Sequence, residues 1–195
     1  MKKFFVSVAL TLTVLLGSVF ASDISKSFYV GGNIGGTSAK IDTGTSIKDF
    51  KPEIGLEFGY IINPEWRTYL GYTYTTPLKD NKDSVDYTLD RNHKFLLGLD
   101  WTPRFIGATR VVLGGYTGAK LSKLKVDSVD SVGLKENFKG YLLGARTGLL
   151  VEVDESIETG VLFKVERTWY SKADLLNTKP KEVDYGFGVF VNYKF

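Results

Sequence analysis

The thirteen residues Val183-Asp184-Tyr185-Gly186-Phe187-Gly188-Val189-Phe190-Val191-Asn192-Tyr193-Lys194-Phe195 constrain the fold more than any other stretch. Side chains of an extended strand alternate between two faces. The odd positions Val183, Tyr185, Phe187, Val189, Val191, Tyr193 and Phe195 therefore form an unbroken apolar and aromatic row. The other face carries Asp184, Gly186, Gly188, Phe190, Asn192 and Lys194. Such a strand separates an apolar medium from a narrow, small and polar space.

The opposite end of the chain has a different character. Lys2 and Lys3 precede an apolar run over 4–16, and Val19 and Ala21 set small enough residues ahead of the polar Ser22. This order predicts a secretory signal peptide over 1–21, cleaved after Ala21. Thirteen apolar residues fall short of the roughly 20 that a spanning helix needs. The remaining 22–195 is predicted to be one domain. Removing 1–21 takes away two lysines and no acid, leaving 23 basic against 22 acidic residues. That balance gives no footprint for nucleic acid. The absence of cysteine excludes a disulfide framework and a thiolate metal site. No stretch after residue 21 approaches the length of a spanning helix, so any membrane crossing falls to strands.

The alternation seen at the C-terminus recurs. Strands are predicted over 26–37, 51–61, 66–76, 84–101, 109–121, 138–153, 157–170 and 183–195. In the second, Ile54, Leu56, Phe58 and Tyr60 oppose Glu53, Gly55, Glu57 and Gly59. The fourth is predicted to be the longest; it overshoots an apolar band about 25 Å tall, so its first half stands above the membrane. The fifth has no settled facing, because Val111-Val112-Leu113-Gly114-Gly115-Tyr116 supports either. Connections alternate between long polar loops at 38–50, 77–83, 122–137 and 171–182 and short turns at 62–65, 102–107 and 154–156. Barrels of the bacterial outer membrane keep short turns in the periplasm and long loops outside, which places both termini in the periplasm. Two aromatic girdles follow: Phe28, Tyr60, Trp66, Trp101, Tyr193 and Phe195 at the inner interface, and Tyr74, Tyr141, Trp169 and Tyr185 at the outer. A soluble secreted eight-stranded barrel also alternates, but its second face is hydrated. Here that face is rich in glycine, which suits a crowded narrow interior.

The leader, eight strands, alternating loops, glycine-rich inner face and final Asn192-Tyr193-Lys194-Phe195 resemble the small outer-membrane β-barrel family that includes OmpA-like transmembrane domains and opacity-type surface proteins. The resemblance implies an all-β, eight-stranded antiparallel up-and-down transmembrane β-barrel with four long extracellular loops and three short periplasmic turns. It also implies that Phe187, Val189, Val191, Tyr193 and Phe195 form the signal read by the outer-membrane assembly machinery. Outer-membrane lipid and lipopolysaccharide are the implied surroundings, with an extracellular ligand met through the loops. The sequence departs from full-length OmpA-like proteins in having no peptidoglycan-binding domain after Phe195, so cell-wall anchoring is not expected.

Three functional classes fit: a structural, surface-exposed barrel, a narrow small-solute pore, and a lipid-modifying enzyme. Eight strands enclose a space that side chains just fill, which favours the first. The enzyme reading rests on His93, the one histidine, as general base. Ser84, Asp86 and Asp90 share its strand, and no second catalytic group converges on it. The repeats Asp83-Ser84-Val85-Asp86 and Asp127-Ser128-Val129-Asp130 lack a cation-loop ligand run and read as solvated loops. No cofactor or metal is expected.

Parity sends Glu53, Glu57, Arg67, Lys94, Asp100, Arg146, Glu158, Lys164, Glu166, Asp184 and Lys194 inward. A buried charge is expensive alone, so these should pair. Counting back from the turn at 154–156 sets Arg146 beside Lys164 and diagonal to Glu166, with Glu57 reaching across. Glu57 and Glu166 are thus expected to share Arg146. By resemblance such a network implies a plug or gate; a filled polar core is the simpler reading.

Overall fold

The structure is a computed structural model that describes residues 27–42, 46–76, 78–82, 85–128, 131–171 and 181–195. The side chains of 39–42, 46–49, 78–82, 85–91, 123–128 and 131–138 lie outside that description. The strands are β1 (Ser27–Asp42), β2 (Ser46–Asn63), β3 (Trp66–Thr75), β4 (Leu78–Lys82), β5 (Val85–Trp101), β6 (Arg104–Ile106), β7 (Thr109–Ser128), β8 (Ser131–Glu152), β9 (Ile157–Tyr170) and β10 (Lys181–Lys194). Eight of them form the wall in the order β1-β2-β3-β5-β7-β8-β9-β10, and the short β4 and β6 pair with β5 and β7. β10 returns to β1 with Tyr29 opposite Lys194 and Asp42 opposite Lys181. The result is a closed eight-stranded antiparallel up-and-down barrel, and closure removes the open edges on which chains aggregate.

The alternation sorts the side chains. Ile34, Leu70 and Phe163 are 59%, 60% and 59% exposed on the outer face, while Lys94, Asp100 and Glu158 are at most 2% exposed inside. A continuous belt of exposed Ile, Leu, Phe and Val belongs in hydrocarbon, and closure satisfies every backbone group that lipid cannot. β7 takes the even-inward facing: Arg110, Val112, Tyr116 and Lys120 are buried, while Leu113 and Leu121 point out. The local apolar run could not choose between faces. Arg110 and Lys120 choose, since both need the polar side.

Three expected loops are largely strand. The β1–β2 ladder continues from Ser38↔Phe50 to Asp42↔Ser46. The β7–β8 ladder runs through Ser122↔Phe138 to Ser128↔Ser131. The segment 77–83 contains β4, paired with β5 from Leu78↔Leu89 to Lys82↔Val85. Consequently β8, at 22 residues, and β7, at 20, exceed β5, at 17, which the sequence made the longest. Above the hydrocarbon the outward side chains need not be apolar, so the alternation lapses while backbone pairing goes on. In the fourth loop Lys181 and Glu182 pair with Trp169 and Thr168, and 172–180 lies outside the described residues.

The short turns are built locally. Asn63 Oδ1 accepts from the amides of Glu65 and Trp66 at 2.9 Å, and Asp154 Oδ1 from those of Ser156 and Ile157 at 2.7 Å. These side chains mimic a backbone turn. The third turn, which holds β6, uses Gly107 at φ +56°. Aromatic rings gather at this end, where Phe28 lies 5.6 Å from Phe58, 5.0 Å from Tyr60 and 6.4 Å from Phe195. At the other end Tyr141 and Trp169 stack at 5.8 Å, and Phe50 and Phe187 at 6.2 Å.

Inside, tyrosine rings sit on glycines of the neighbouring strand: Tyr29 on Gly59, Tyr69 on Gly98 and Tyr116 on Gly144. A Cβ at Gly98 would overlap the Tyr69 ring, whose other face carries the Arg146 guanidinium 3.7 Å from its centroid. The ring has nowhere to retreat. Gly98→Ala is expected to destabilise the barrel by about 1–3 kcal/mol, the usual range for overpacking. Urea unfolding in lipid vesicles checks this against Gly32→Ala, where a Cβ would meet only the Gly55 carbonyl oxygen at 4.0 Å and the midpoint should hold.

Candidate functional site

The lumen concentrates the chemistry of the described residues. In the half nearer the short turns Arg146 donates from Nε to Asp100 Oδ1 at 2.9 Å and from Nη1 to Glu57 Oε1 at 2.6 Å. Beneath it Arg67 Nη1 donates to Glu158 Oε2 at 2.8 Å, and Lys194 Nζ lies 3.4 Å from Glu158 Oε1. At the mouth ringed by the short turns Arg110 donates from Nε to Glu152 at 2.8 Å and from Nη1 to the Pro64 carbonyl at 2.7 Å and the Thr102 carbonyl at 3.2 Å. One guanidinium thus ties together two turns and β8.

The ladder sets Arg146 directly opposite Lys164. Like charges facing across a strand pair repel, and the two diverge: Lys164 Nζ bonds Glu53, and Arg146 turns to Asp100 and Glu57. Glu166 is not shared with Arg146, contrary to expectation. It lies between Gly144 on β8 and Asp184 on β10, where it accepts from Lys94 Nζ and, at 3.1 Å, from the Tyr116 hydroxyl. Sequence spacing gives neighbours along the wall. It does not give reach across the lumen.

The half nearer the long connections holds groups that the sequence alone leaves unassigned. Lys120 Nζ donates to Glu182 at 2.7 Å and Asp184 at 3.1 Å, the Tyr170 hydroxyl donates to Glu182, and Lys51 Nζ lies 3.7 Å from Glu182. Lys94 Nζ also lies 3.7 Å from Asp184 and 3.9 Å from Glu53. Lys51 shares the parity of Glu53 and Glu57, a usable signal. Lys120 depends on the facing of β7, which its own sequence leaves open, and Glu182 falls in a stretch that reads as loop. In these two layers Glu53, Glu57, Asp100, Glu158, Glu166, Glu182 and Asp184 face an equal number of cations: Lys51, Arg67, Lys94, Lys120, Arg146, Lys164 and Lys194.

Between the charges lie Tyr29, Ile61, Tyr69, Tyr116 and Leu142, and a second packed group of Val112, Leu150, Leu162 and Phe190. Two interior cavities, of about 20 and 10 Å³, adjoin Glu57 and Arg146. The larger has room for about one water molecule.

His93 is outside this network. On the outer face its Nδ1 lies 2.7 Å from the Tyr72 hydroxyl, and its ring lies against Tyr72 and Tyr74. Ser84 and the side chains of Asp86 and Asp90 fall outside the described residues, as do the side chains of both aspartate repeats. Among the described residues no group of three His, Cys, Asp or Glu is placed to hold a metal. In the C-terminal row Phe187, Val189, Val191 and Phe195 are exposed on the belt, and Tyr193 is half-buried.

The family model for the outer membrane protein beta-barrel domain matches residues 7–195. No curated protein matches the chain in sequence. Among solved structures, Ail, the attachment invasion locus protein of Yersinia pestis, is 17% identical with a TM-score of 0.60, over 88% of this chain and 100% of that one. Another Ail structure is a complex with the heparin analogue sucrose octasulfate. Neisserial surface protein A is 19% identical over 86% of this chain and 97% of that one, with a TM-score of 0.58. A major outer membrane protein from Thermus thermophilus is 11% identical over 88% and 100%, with a TM-score of 0.57. At these identities the likeness is one of fold.

Proposed function

Since the chain belongs to the outer membrane protein β-barrel family, we propose that it is a closed, surface-presenting barrel, a rigid scaffold in outer-membrane lipid and lipopolysaccharide whose loops meet an extracellular ligand. The observation that carries this reading is the lumen, in which paired charges and packed rings occupy the section. Loops on a rigid frame are where such proteins vary and bind. The sucrose octasulfate complex belongs to Ail; its bearing here is limited to supporting an extracellular contact. In planar bilayers the purified, folded chain is expected to show no sustained current steps. Regular steps in the unmodified protein would instead establish the narrow-pore alternative. No enzymatic role is proposed, because His93 faces outward with tyrosines as its described partners.

The proposed topology has residues 1–21 removed as a leader and both mature termini in the periplasm. N-terminal sequencing of envelope protein is expected to begin at Ser22. Proteases added to intact cells are expected to cut only within 38–50, 77–91, 122–137 or 171–182, and cleavage at Asn63 or Glu155 would invert the orientation.

A further inference from the structure

Among the described residues the inward charges of this barrel are matched, but a group of outward ones is not. Lys139 on β8, Arg167 on β9 and Lys181 on β10 are all exposed on the outer face. The ladders fix their arrangement: Trp169 lies between Tyr141 and Lys181, and Arg167 between Leu143 and Val183. Lys139 follows at the rim, its carbonyl accepting from the Ser171 amide. Arg167 and Lys181 are diagonal neighbours, about 7 Å apart, and within joint reach of one anion. The Arg167 guanidinium also lies 5.4 Å from the Trp169 ring centroid. Among the described residues no carboxylate pairs with any of the three, and none faces outward in this half of the barrel.

Depth gives the patch its meaning. Arg167 is ten residues up β9 from Ile157, beside the periplasmic turn. At about 3.3 Å per residue and a tilt near 45° it stands about 23 Å above that turn, at the far edge of an apolar band about 25 Å tall. Lys181, level with Trp169, stands one step higher. The cations therefore bracket the headgroup level of the outer leaflet, where rings also gather. Arg167 and Lys181, unneutralised like charges side by side with Lys139 farther along the rim, repel, and an anion fixed to the lipid layer removes that repulsion. Arg and Lys in such a cluster suit phosphate oxygens.

We propose that the outer rim of β8–β10 binds the phosphate groups of lipopolysaccharide, with Arg167 and Lys181 on one phosphate, Lys139 beside it and the Trp169–Tyr141 pair against the adjoining acyl chains. This rests on the membrane placement proposed above. The test uses the folded chain in phosphatidylcholine vesicles containing either bisphosphorylated lipid A or its phosphate-free counterpart, with retained lipid counted by native mass spectrometry after extraction. Wild type is expected to retain the phosphorylated form about tenfold more than the phosphate-free form. Lys139→Gln, Arg167→Gln and Lys181→Gln together should abolish that preference, whereas Arg104→Gln at the periplasmic end should keep it. Folding of each variant is read from heat-modifiable gel mobility, and the Arg167→Gln single variant, with an intermediate preference, serves if the triple variant does not fold. Insertion with equal retention of both lipids overturns the site alone. A wild-type chain that inserts into neither vesicle overturns the membrane placement as well.

Discussion

Arg146→Ala is expected to lower the stability of the folded barrel by about 3–5 kcal/mol, the range for removing one partner of a buried ion pair. The argument is one of orphaned charge rather than of bonds lost. Asp100 is 1% exposed and takes its donors from Arg146, and Glu57 is held by the same guanidinium. Truncation leaves two carboxylates in a crowded space with the Tyr69 ring uncovered on one face. Water entering beside them should also raise small-ion conductance, so the stability loss and the current should appear together. Replacing all three groups, as Arg146→Met with Glu57→Gln and Asp100→Asn, removes the charge and should recover much of the stability. Urea midpoints in vesicles and bilayer recordings measure both effects. An Arg146→Ala barrel with unchanged midpoint and unchanged current would mean that this cluster neither supports nor seals the lumen.

The same residues mark how far the sequence could be read. Within the membrane every strand must show lipid an apolar face and the lumen a compact one, so period two exposes the wall directly, as in β10 from Tyr185 to Lys194. That physical demand ends at the headgroups. Ser38↔Phe50 and Ser122↔Phe138 begin ladders that look like loops in sequence because nothing forces their outward side chains to be apolar. Glu182 reads as loop for this reason, though it sits at 1% exposure on Lys120. Pairing across the lumen was less legible than facing. Register gives Arg146 its wall neighbour Lys164, but the strands that come opposite depend on the tilt and stagger with which the barrel closes. Asp100, on β5, meets Arg146 across Gly114 of β7, which the ladders set opposite both, whereas Glu57, on β2, reaches it by closure, and Glu166 is drawn to Lys94 instead.

The outer face carries the second large expectation. Val189 pairs with Ile34 and Val161 on its flanking strands and is 48% exposed, with no polar group beside it in either ladder. Six residues above Phe195, it stands about 14 Å up the wall, close to the middle of the hydrocarbon. Val189→Arg is therefore expected to destabilise the barrel by about 2–4 kcal/mol, since an outward charge there meets neither water nor a counter-ion. Deleting Phe195 makes an instructive contrast. That residue stacks on Phe28 at the short-turn end of the barrel, where a change in contact matters less to the folded barrel, and we propose that its larger role is in being read by the assembly machinery. Refolding into vesicles, which contain no such machinery, should accordingly suffer more from Val189→Arg than from the deletion. In cells both should lower the folded yield in the outer membrane, and Asn192→Ala, inside the lumen, should lower it less than the deletion. Wild-type stability of Val189→Arg in vesicles would contradict the facing of β10, whereas equal losses from the Phe195 deletion in vesicles and in cells would remove the assembly role and leave the facing intact.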